Sequence, residues 1–174
     1  MDTARQDELY KSAAAEFGAA LERLARGYEA DADKRRDVLQ DIHFALWRSF
    51  RLFNSQCSLR TWVYRVAHNT ATSHILKARR RLDSTWVDLD DEIPANTDNA
   101  EDSLHHQQTI MRLLALIHRL RPQDRQIILL YLEGMDAAAV AEITGLNTAH
   151  IATKIHRIKA LLSRQFHQES FRDR

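Results

Sequence analysis

Residues 136–158 read DAAAVAEITGLNTAHIATKIHRI, and this stretch decides the fold of the C-terminal part of the chain. Asp136 and Asn147 each stand directly before a helical pattern, where their side chains can accept hydrogen bonds from unpaired backbone N–H groups. Gly145 lies between the two patterns and supplies the turn. Apolar residues spaced by three and four fall on one face of each helix. The stretch therefore predicts helix, Gly-containing turn and helix, which is the helix-turn-helix arrangement.

The opposite face of the second predicted helix is polar and suits a DNA groove. Lys159 and Arg164 follow on the same helix, where the phosphates beside a groove-bound helix would lie. The face offers Thr148, Ala149, His150, Thr153, Lys154 and Arg157.

Two more helices precede this motif. One begins at about Ser103, and Pro122 opens the other, which ends at Gly134. Asp124 in its first turn is placed favourably for the helix dipole. Residues 103–174 therefore form one predicted helical module.

The first 81 residues predict a second all-helical module. Apolar residues at helical spacing indicate helices over 5–27, 36–50 and about 59–80, and Ser58 is the expected cap of the third. Three helices suffice for a small bundle. Residues 82–102 lose this periodicity and are rich in acidic and small polar side chains, so they predict a linker. Fully extended, about 21 residues at ~3.3 Å each reach about 70 Å. We predict an all-α chain of two modules joined by an acidic flexible linker.

Charge is segregated along the chain although its formal net value is only +1. Residues 42–81 contain eight Lys and Arg residues and no acid, whereas residues 82–111 contain eight acids and no Lys or Arg. Residues 148–174 are basic again, with six Lys and Arg against two acids. Two basic blocks indicate two surfaces for a polyanion, because Lys and Arg gain affinity by displacing counterions from phosphates. Solvated helix faces would give the same pattern.

Composition argues against several classes of protein. The single Cys57 excludes a disulfide framework and a thiolate metal site. The His residues lack metal-binding spacing and there is no Gly-rich phosphate loop, so we expect no enzyme activity, cofactor, metal site or small-molecule substrate. No apolar run approaches the ~18 residues of a membrane span. We therefore expect a cytoplasmic protein without membrane insertion.

Two stretches resemble one protein family. DVLQDIHFALW at 37–47 and SLRTWVYRVAHN at 58–69 resemble the second conserved region of small extracytoplasmic-function (ECF) sigma factors of RNA polymerase, in the sigma-70 superfamily. RLRPQDRQ at 119–126, YLEGM at 131–135 and the helix-turn-helix stretch resemble the fourth region. The resemblance implies a sigma factor that binds core RNA polymerase, recognises the -35 and -10 promoter elements and melts the promoter. It also implies an anti-sigma protein as a partner.

The resemblance also assigns roles to residues. Polymerase binding falls to Asp37, Gln40, Asp41, His43 and Trp47. The resemblance assigns contact with the melted -10 element to Asn54, Ser55, Gln56, Arg60, Tyr64, Arg65, His68, Asn69, Lys77, Arg79 and Arg80. Trp62 lies on the expected core stripe of the third predicted helix. Recognition of the -35 element falls to Thr148, His150, Thr153, Lys154 and Arg157.

The recognition helix departs from the family at two positions. Ala152 stands where many members have a basic residue, and Ala149 stands where many have Gly. Two other functions fit the residues. One is a helix-turn-helix regulator with an N-terminal helical sensor or interaction domain, and the other is an all-helical protein-interaction module.

Overall fold

The computed structural model describes residues 3–82 and 103–172, with side chains described over 3–79 and 107–167. All regular structure in these residues is helical, in the order α1 (Thr3–Tyr28), α2 (Ala32–Ser49), α3 (Leu59–Leu82), α4 (Ser103–Arg119), α5 (Pro122–Leu132), α6 (Ala137–Thr144) and α7 (Thr148–Arg172). The predicted all-α class is confirmed. The predicted linker lies outside the described residues, apart from Leu82 at the end of α3.

Helices α1, α2 and α3 are the described part of the predicted first module. Its core joins Leu21 of α1, Ile42 and Leu46 of α2, and Val63 of α3, each buried at 1% exposure or less. Helix α2 begins earlier than predicted, because the Asp31 carboxylate accepts from the backbone N–H groups of the next turn and caps it. Ser58 caps α3 as predicted: its Oγ accepts from the Thr61 N–H at 3.0 Å.

Helices α4 to α7 are the described part of the predicted second module and pack around buried aliphatic side chains. Both predicted caps are present, since Asp136 Oδ1 accepts from the Ala139 N–H and Asn147 Oδ1 from the Ala149 N–H, each at 2.8 Å. Gly145 ends α6 with φ +74°, a left-handed conformation that glycine adopts without a Cβ penalty. The helix-turn-helix consists of α6, this turn and α7. Its fixed angle comes from the buried Val140, Ile143, Ile151, Ile155 and Ile158.

The two modules pack directly against each other. Helix α1 contacts α4 and α5, and α3 contacts α5 and α6. Gly27 near the end of α1 allows this approach, because a Cβ built there would lie 2.4 Å from Leu129 Cδ2. Within the described ranges, no helix has both the length and the apolar character required to cross a bilayer.

Candidate nucleic-acid interface

Helix α7 presents its first turns to solvent. Thr148, Ala149, His150, Ala152 and Thr153 are all exposed, as is Arg157 one turn further on. The opposite stripe is buried against α5 and α6. The helix therefore has an exposed polar N-terminal face on a rigid support, which is the geometry with which a recognition helix enters a major groove.

Lys154 is half-buried and does not belong to this exposed face, contrary to its predicted role as a base-reading residue. Its Nζ lies 2.5 Å from Asp124 Oδ1, and the two side chains are only 17% and 4% exposed. A buried carboxylate requires a partner of opposite charge, because desolvation strongly disfavours an isolated ion. Asp124 does lie in the first turn of α5, but it is buried, and it pairs with the half-buried Lys154 of α7.

The loop before α3 carries three predicted -10 residues, and all three are exposed. Asn54 Oδ1 accepts from the Gln56 N–H at 3.4 Å, and Ser55 has φ +61°, a left-handed conformation that is uncommon for a residue with a Cβ. This turn directs polar side chains away from the core. Exposed amide groups are suited to hydrogen bonding an unstacked base.

Three predicted -10 residues of α3 bond to the second module: Arg60 is exposed, Arg65 is half-buried and Tyr64 is buried. Arg60 Nη2 donates to the backbone carbonyl of Glu133 at 3.4 Å, and Arg65 Nη2 donates to that of Glu142 at 2.7 Å. Tyr64 is 3% exposed, and its hydroxyl donates to Glu133 Oε2 at 3.4 Å. The two guanidinium groups have the chemistry for DNA and remain at least partly open to solvent, whereas Tyr64 is covered.

His68 is buried at 1% exposure and is unavailable to DNA in this structure, contrary to its predicted contact. Its Nδ1 is hydrogen-bonded to the Tyr28 hydroxyl at 2.9 Å. Burial lowers the pKa of His68 to about 3, so the ring is uncharged at neutral pH and cannot act as a phosphate cation. The sequence spacing placed His68 beside Arg65 and Asn69, but it did not show that Tyr28 covers it.

The remaining predicted -10 residues lie along the rest of α3. Asn69 and Lys77 are exposed and Arg79 is half-buried, while Arg80 lies beyond the side chains that the structure describes. Trp62 packs against the core, and its indole N–H donates to Ser49 Oγ at 2.9 Å. This confirms its position on the core stripe.

The predicted polymerase-binding residues lie on α2 with differing exposure. Asp37, Gln40 and Asp41 are exposed, whereas His43 and Trp47 are half-buried against α1. The indole N–H of Trp47 donates to Asp7 Oδ1 at 2.8 Å, and His43 Nδ1 lies 3.1 Å from the Tyr10 hydroxyl.

Phe44 is the apolar residue of this α2 surface and was absent from the predicted contacts. It is 58% exposed, and the Arg48 guanidinium lies 5.6 Å from the centre of its ring. Its position on one stripe with Gln40, His43 and Trp47 was the sequence signal that could have identified it. Among the described residues, no cluster of three or more His, Cys, Asp or Glu side chains could hold a metal ion.

Two family models match the chain in order. Sigma-70 region 2 matches residues 14–81, and Sigma-70, region 4 matches residues 110–162. The RNA polymerase sigma factor NccH of Alcaligenes xylosoxydans xylosoxydans is 24% identical over 84% of this chain and 80% of its own length. The ECF RNA polymerase sigma-E factor of Haemophilus influenzae is 26% identical over 72% of this chain and 71% of its own length.

Two solved structures share the fold at 19% sequence identity. CnrH, in complex with the cytosolic domain of CnrY, superimposes with a TM-score of 0.67 over 97% of this chain and 98% of its own. The sigma factor RpoE, in complex with the anti-sigma factor NepR from Bartonella quintana, has a TM-score of 0.67 over 91% of this chain and 96% of its own.

Proposed function

The chain belongs to the sigma-70 family as an ECF-type sigma factor. From this membership we propose which of its surfaces bind the -35 element, the -10 element and core RNA polymerase. A sigma factor is not an enzyme: it directs core RNA polymerase to promoter DNA. The observation that carries the assignment is the match to both regions in their proper order. The alternative of a sensor-domain regulator loses its basis, because region 2 occupies the residues where the sensor would lie.

We propose that α7 reads the -35 element in the major groove. His150 and Thr153 are exposed on its outer face. The His150 ring can hydrogen-bond to base edges, and the Thr153 hydroxyl, which donates to the Ala149 carbonyl at 3.0 Å, can accept from them. Thr148 and Arg157 lie at either end of this face, and Arg157 is suited to a phosphate contact. Because Ala152 cannot donate a hydrogen bond and the half-buried Lys154 is paired with Asp124, we assign base reading to His150 and Thr153.

We assign the binding of the melted -10 strand to the loop of residues 54–56 and to α3. Base capture needs amide hydrogen bonds and an aromatic or apolar surface, while the displaced backbone needs cations. Asn54, Gln56 and Asn69 supply exposed amides, and Arg60 and Arg65 supply the cations. Lys77 and Arg79 continue the basic surface along α3.

We assign the binding of core polymerase to the exposed surface of α2. Phe44 supplies the apolar centre, and the exposed Asp37, Gln40 and Asp41 supply a polar rim, which is the usual composition of a protein interface. Trp47 and His43 support this surface from below by their bonds to α1.

The test combines polymerase binding with run-off transcription. Phe44→Asp should weaken binding to core polymerase at least about tenfold, because it places a charge in the centre of the contact. The control Ala19→Asp changes an exposed residue of α1 and should bind as the wild type does. Failure of the wild-type chain to bind core polymerase at any salt concentration would refute the assigned activity.

Two further assignments follow from this function. The CnrH and RpoE structures are complexes with CnrY and NepR, which supports a protein inhibitor as a partner of this chain. We place the chain in the cytoplasm, because polymerase and promoter DNA are found there. A pull-down that returned polymerase but no inhibitory protein, in both resting and stressed cells, would count against the first assignment.

A further inference from the structure

A cavity of about 320 Å³ lies between the two modules, where α1, α3, α4 and α5 meet. Seven of its eleven lining residues are Leu or Ile. Leu24, Ile117 and Leu129 are buried and form its floor, whereas Ile110 and Leu132 are 46% and 53% exposed and form its mouth. An apolar cavity binds apolar groups in preference to water, and this volume lies at the lower end of the range for ligand sites.

The charged side chains that line the cavity sum to one positive charge. Glu133 is neutralised by Arg23, which donates to both of its carboxylate oxygens at 2.7 Å. Arg26 is exposed, and within the part of the chain that the structure describes its guanidinium has no hydrogen bond or ion pair. It also lines an adjoining groove along α4, which places its charge at the mouth. This unpaired cation favours a ligand with an anionic head group.

His68 supplies a buried hydrogen-bond donor to the same cavity. The Tyr28 hydroxyl accepts from Thr72 Oγ1 at 3.4 Å, so its own proton is directed to His68 Nδ1 at 2.9 Å and the neutral ring carries its proton on Nε2. Nε2 has no partner among the described residues, where Arg125 Nε is the single side-chain nitrogen or oxygen that is both unpaired and completely buried. The Nε2–H group therefore opens onto the cavity that His68 lines, where it can donate to a ligand oxygen.

We propose that this cavity binds a fatty acid, with its carboxylate on Arg26 at the mouth, its aliphatic chain against the Leu and Ile side chains, and an oxygen at the far end of the chain on His68 Nε2–H. The three features together select this class of ligand. An alkane would leave the Arg26 cation and the His68 donor unpaired, and a sugar phosphate would place polar groups against the aliphatic lining. A fatty amine would bring a second cation to the mouth. An ω-hydroxy fatty acid satisfies all three features.

The bound fatty acid contacts both modules at once. Leu24 and His68 belong to the first module, while Ile110 and Leu129 belong to the second. Binding therefore stabilises the folded chain by mass action, because the cavity exists only when both modules are folded and packed together. Apart from His68, no lining residue belongs to the surfaces predicted to bind DNA or polymerase. The site can thus be tested without promoter DNA or polymerase.

Isothermal titration calorimetry of the full chain at pH 7.5 tests the class of ligand with hexanoate, octanoate and decanoate. Affinity should rise about fourfold for each added methylene until the cavity is full, because each methylene leaves water. Decyltrimethylammonium has a similar chain with a cationic head and should bind at least about tenfold more weakly than decanoate. Absence of binding by all three acids, or equal affinity for decanoate and the cationic detergent, would overturn the inference.

Two neighbouring tryptophan substitutions test the location of the site. Ile110→Trp narrows the mouth of the cavity and should weaken decanoate binding at least about tenfold. Met111→Trp is the matched control, since Met111 is 66% exposed and lines the adjoining groove but not the cavity. It should bind decanoate as the wild type does. Equal affinity for decanoate in the two variants would place the ligand elsewhere and refute the site.

The head-group contact is tested by removing the cation at the mouth. Arg26→Gln should weaken decanoate binding about two- to fivefold at low salt, the effect expected of an exposed ion pair, and the difference should disappear at high salt. Arg5→Gln makes the same change at an exposed position of α1 that does not line the cavity, and it should leave the affinity unchanged. Wild-type affinity in Arg26→Gln at low salt would contradict the proposed orientation of the ligand.

A terminal hydroxyl tests the buried donor. The wild type should bind 10-hydroxydecanoate at least as tightly as decanoate, because the hydroxyl accepts from His68 Nε2–H. In His68→Phe the hydroxyl is buried without a partner, so the ratio of the two affinities should fall at least about tenfold. Decanoate affinity in the same variant shows whether the cavity is intact, and the same ratio in both proteins is incompatible with the inference. Ile110→Trp and Arg26→Gln change exposed residues, so they decide the inference even if His68→Phe does not fold.

Discussion

Lys154 illustrates how one buried partner changes the role of a residue. Lys154→Met should lower the free energy of unfolding by about 3 kcal/mol, because it leaves the Asp124 carboxylate buried without a cation. The double variant Lys154→Met/Asp124→Leu should recover most of this loss. Urea unfolding measures both, with the exposed Lys159→Met expected to cost less than about 1 kcal/mol. A Lys154→Met protein of wild-type stability that has altered -35 preference would show that Lys154 reads bases after all.

His68 makes the stability of the chain depend on pH. The pKa of His68 is about 3 in the folded chain and 6.5 when unperturbed, so between these values only the unfolded chain binds this proton. Its contribution is complete above pH 6.5 and is lost as the pH falls towards 3, by up to about 1.4 kcal/mol per pH unit. Chemical unfolding at pH 7.5, 6 and 5 should show this decline, and His68→Gln should reduce its slope.

Two other histidines contribute in the same direction, so the slope should not vanish in that variant. Burial lowers the pKa of His43 and of His118 as well. A wild-type stability that stays constant between pH 7.5 and 5 would contradict the burial of all three rings.

We expect helix α7 to contact both bases and phosphates of the -35 element. His150→Ala and Thr153→Ala should each reduce discrimination at one base pair by about 1–3 kcal/mol, because a base-edge hydrogen bond is lost. Arg157→Ala should weaken all sequences alike and lower the salt slope by about one, as expected for a phosphate contact. Binding to duplexes with single base changes, over a range of salt concentrations, separates the two behaviours. Equal loss on every duplex for His150→Ala would assign that residue to the backbone instead.

At the scale of the whole molecule, the second module bonds to Arg60 and Arg65 of α3, so we expect the contact between the modules to open when the -10 strand binds. Arg23 is 57% exposed, so its pair with Glu133 contributes only about 0–1 kcal/mol and favourable contacts with polymerase can replace it. We expect that selection with the wild-type chain alone recovers an upstream motif from a random duplex library and no motif from a single-stranded library. Glu133→Arg should recover a short single-stranded motif. A single-stranded motif recovered with the wild type would show that the chain is open without polymerase.

The sequence by itself determined the helices, their caps and the family. Ser58, Asp136 and Asn147 cap helices through hydrogen bonds to residues two or three positions away. Such short-range bonds can be predicted from the local sequence alone. Because these signals span only a few residues, they also located the helix-turn-helix. They placed the start of α2 four residues late, because the capping role of Asp31 was not recognised in a polar segment.

Only the tertiary structure decided which polar faces remain exposed. Lys154 meets Asp124 across 30 residues, Arg65 meets Glu142 across 77, and Arg23 meets Glu133 across 110. The spacing of residues on a helix shows which side chains share a face, but it carries no information about a distant element that covers that face. The basic block over residues 42–81 therefore looked like an open polyanion surface, whereas two of its arginines donate to the second module.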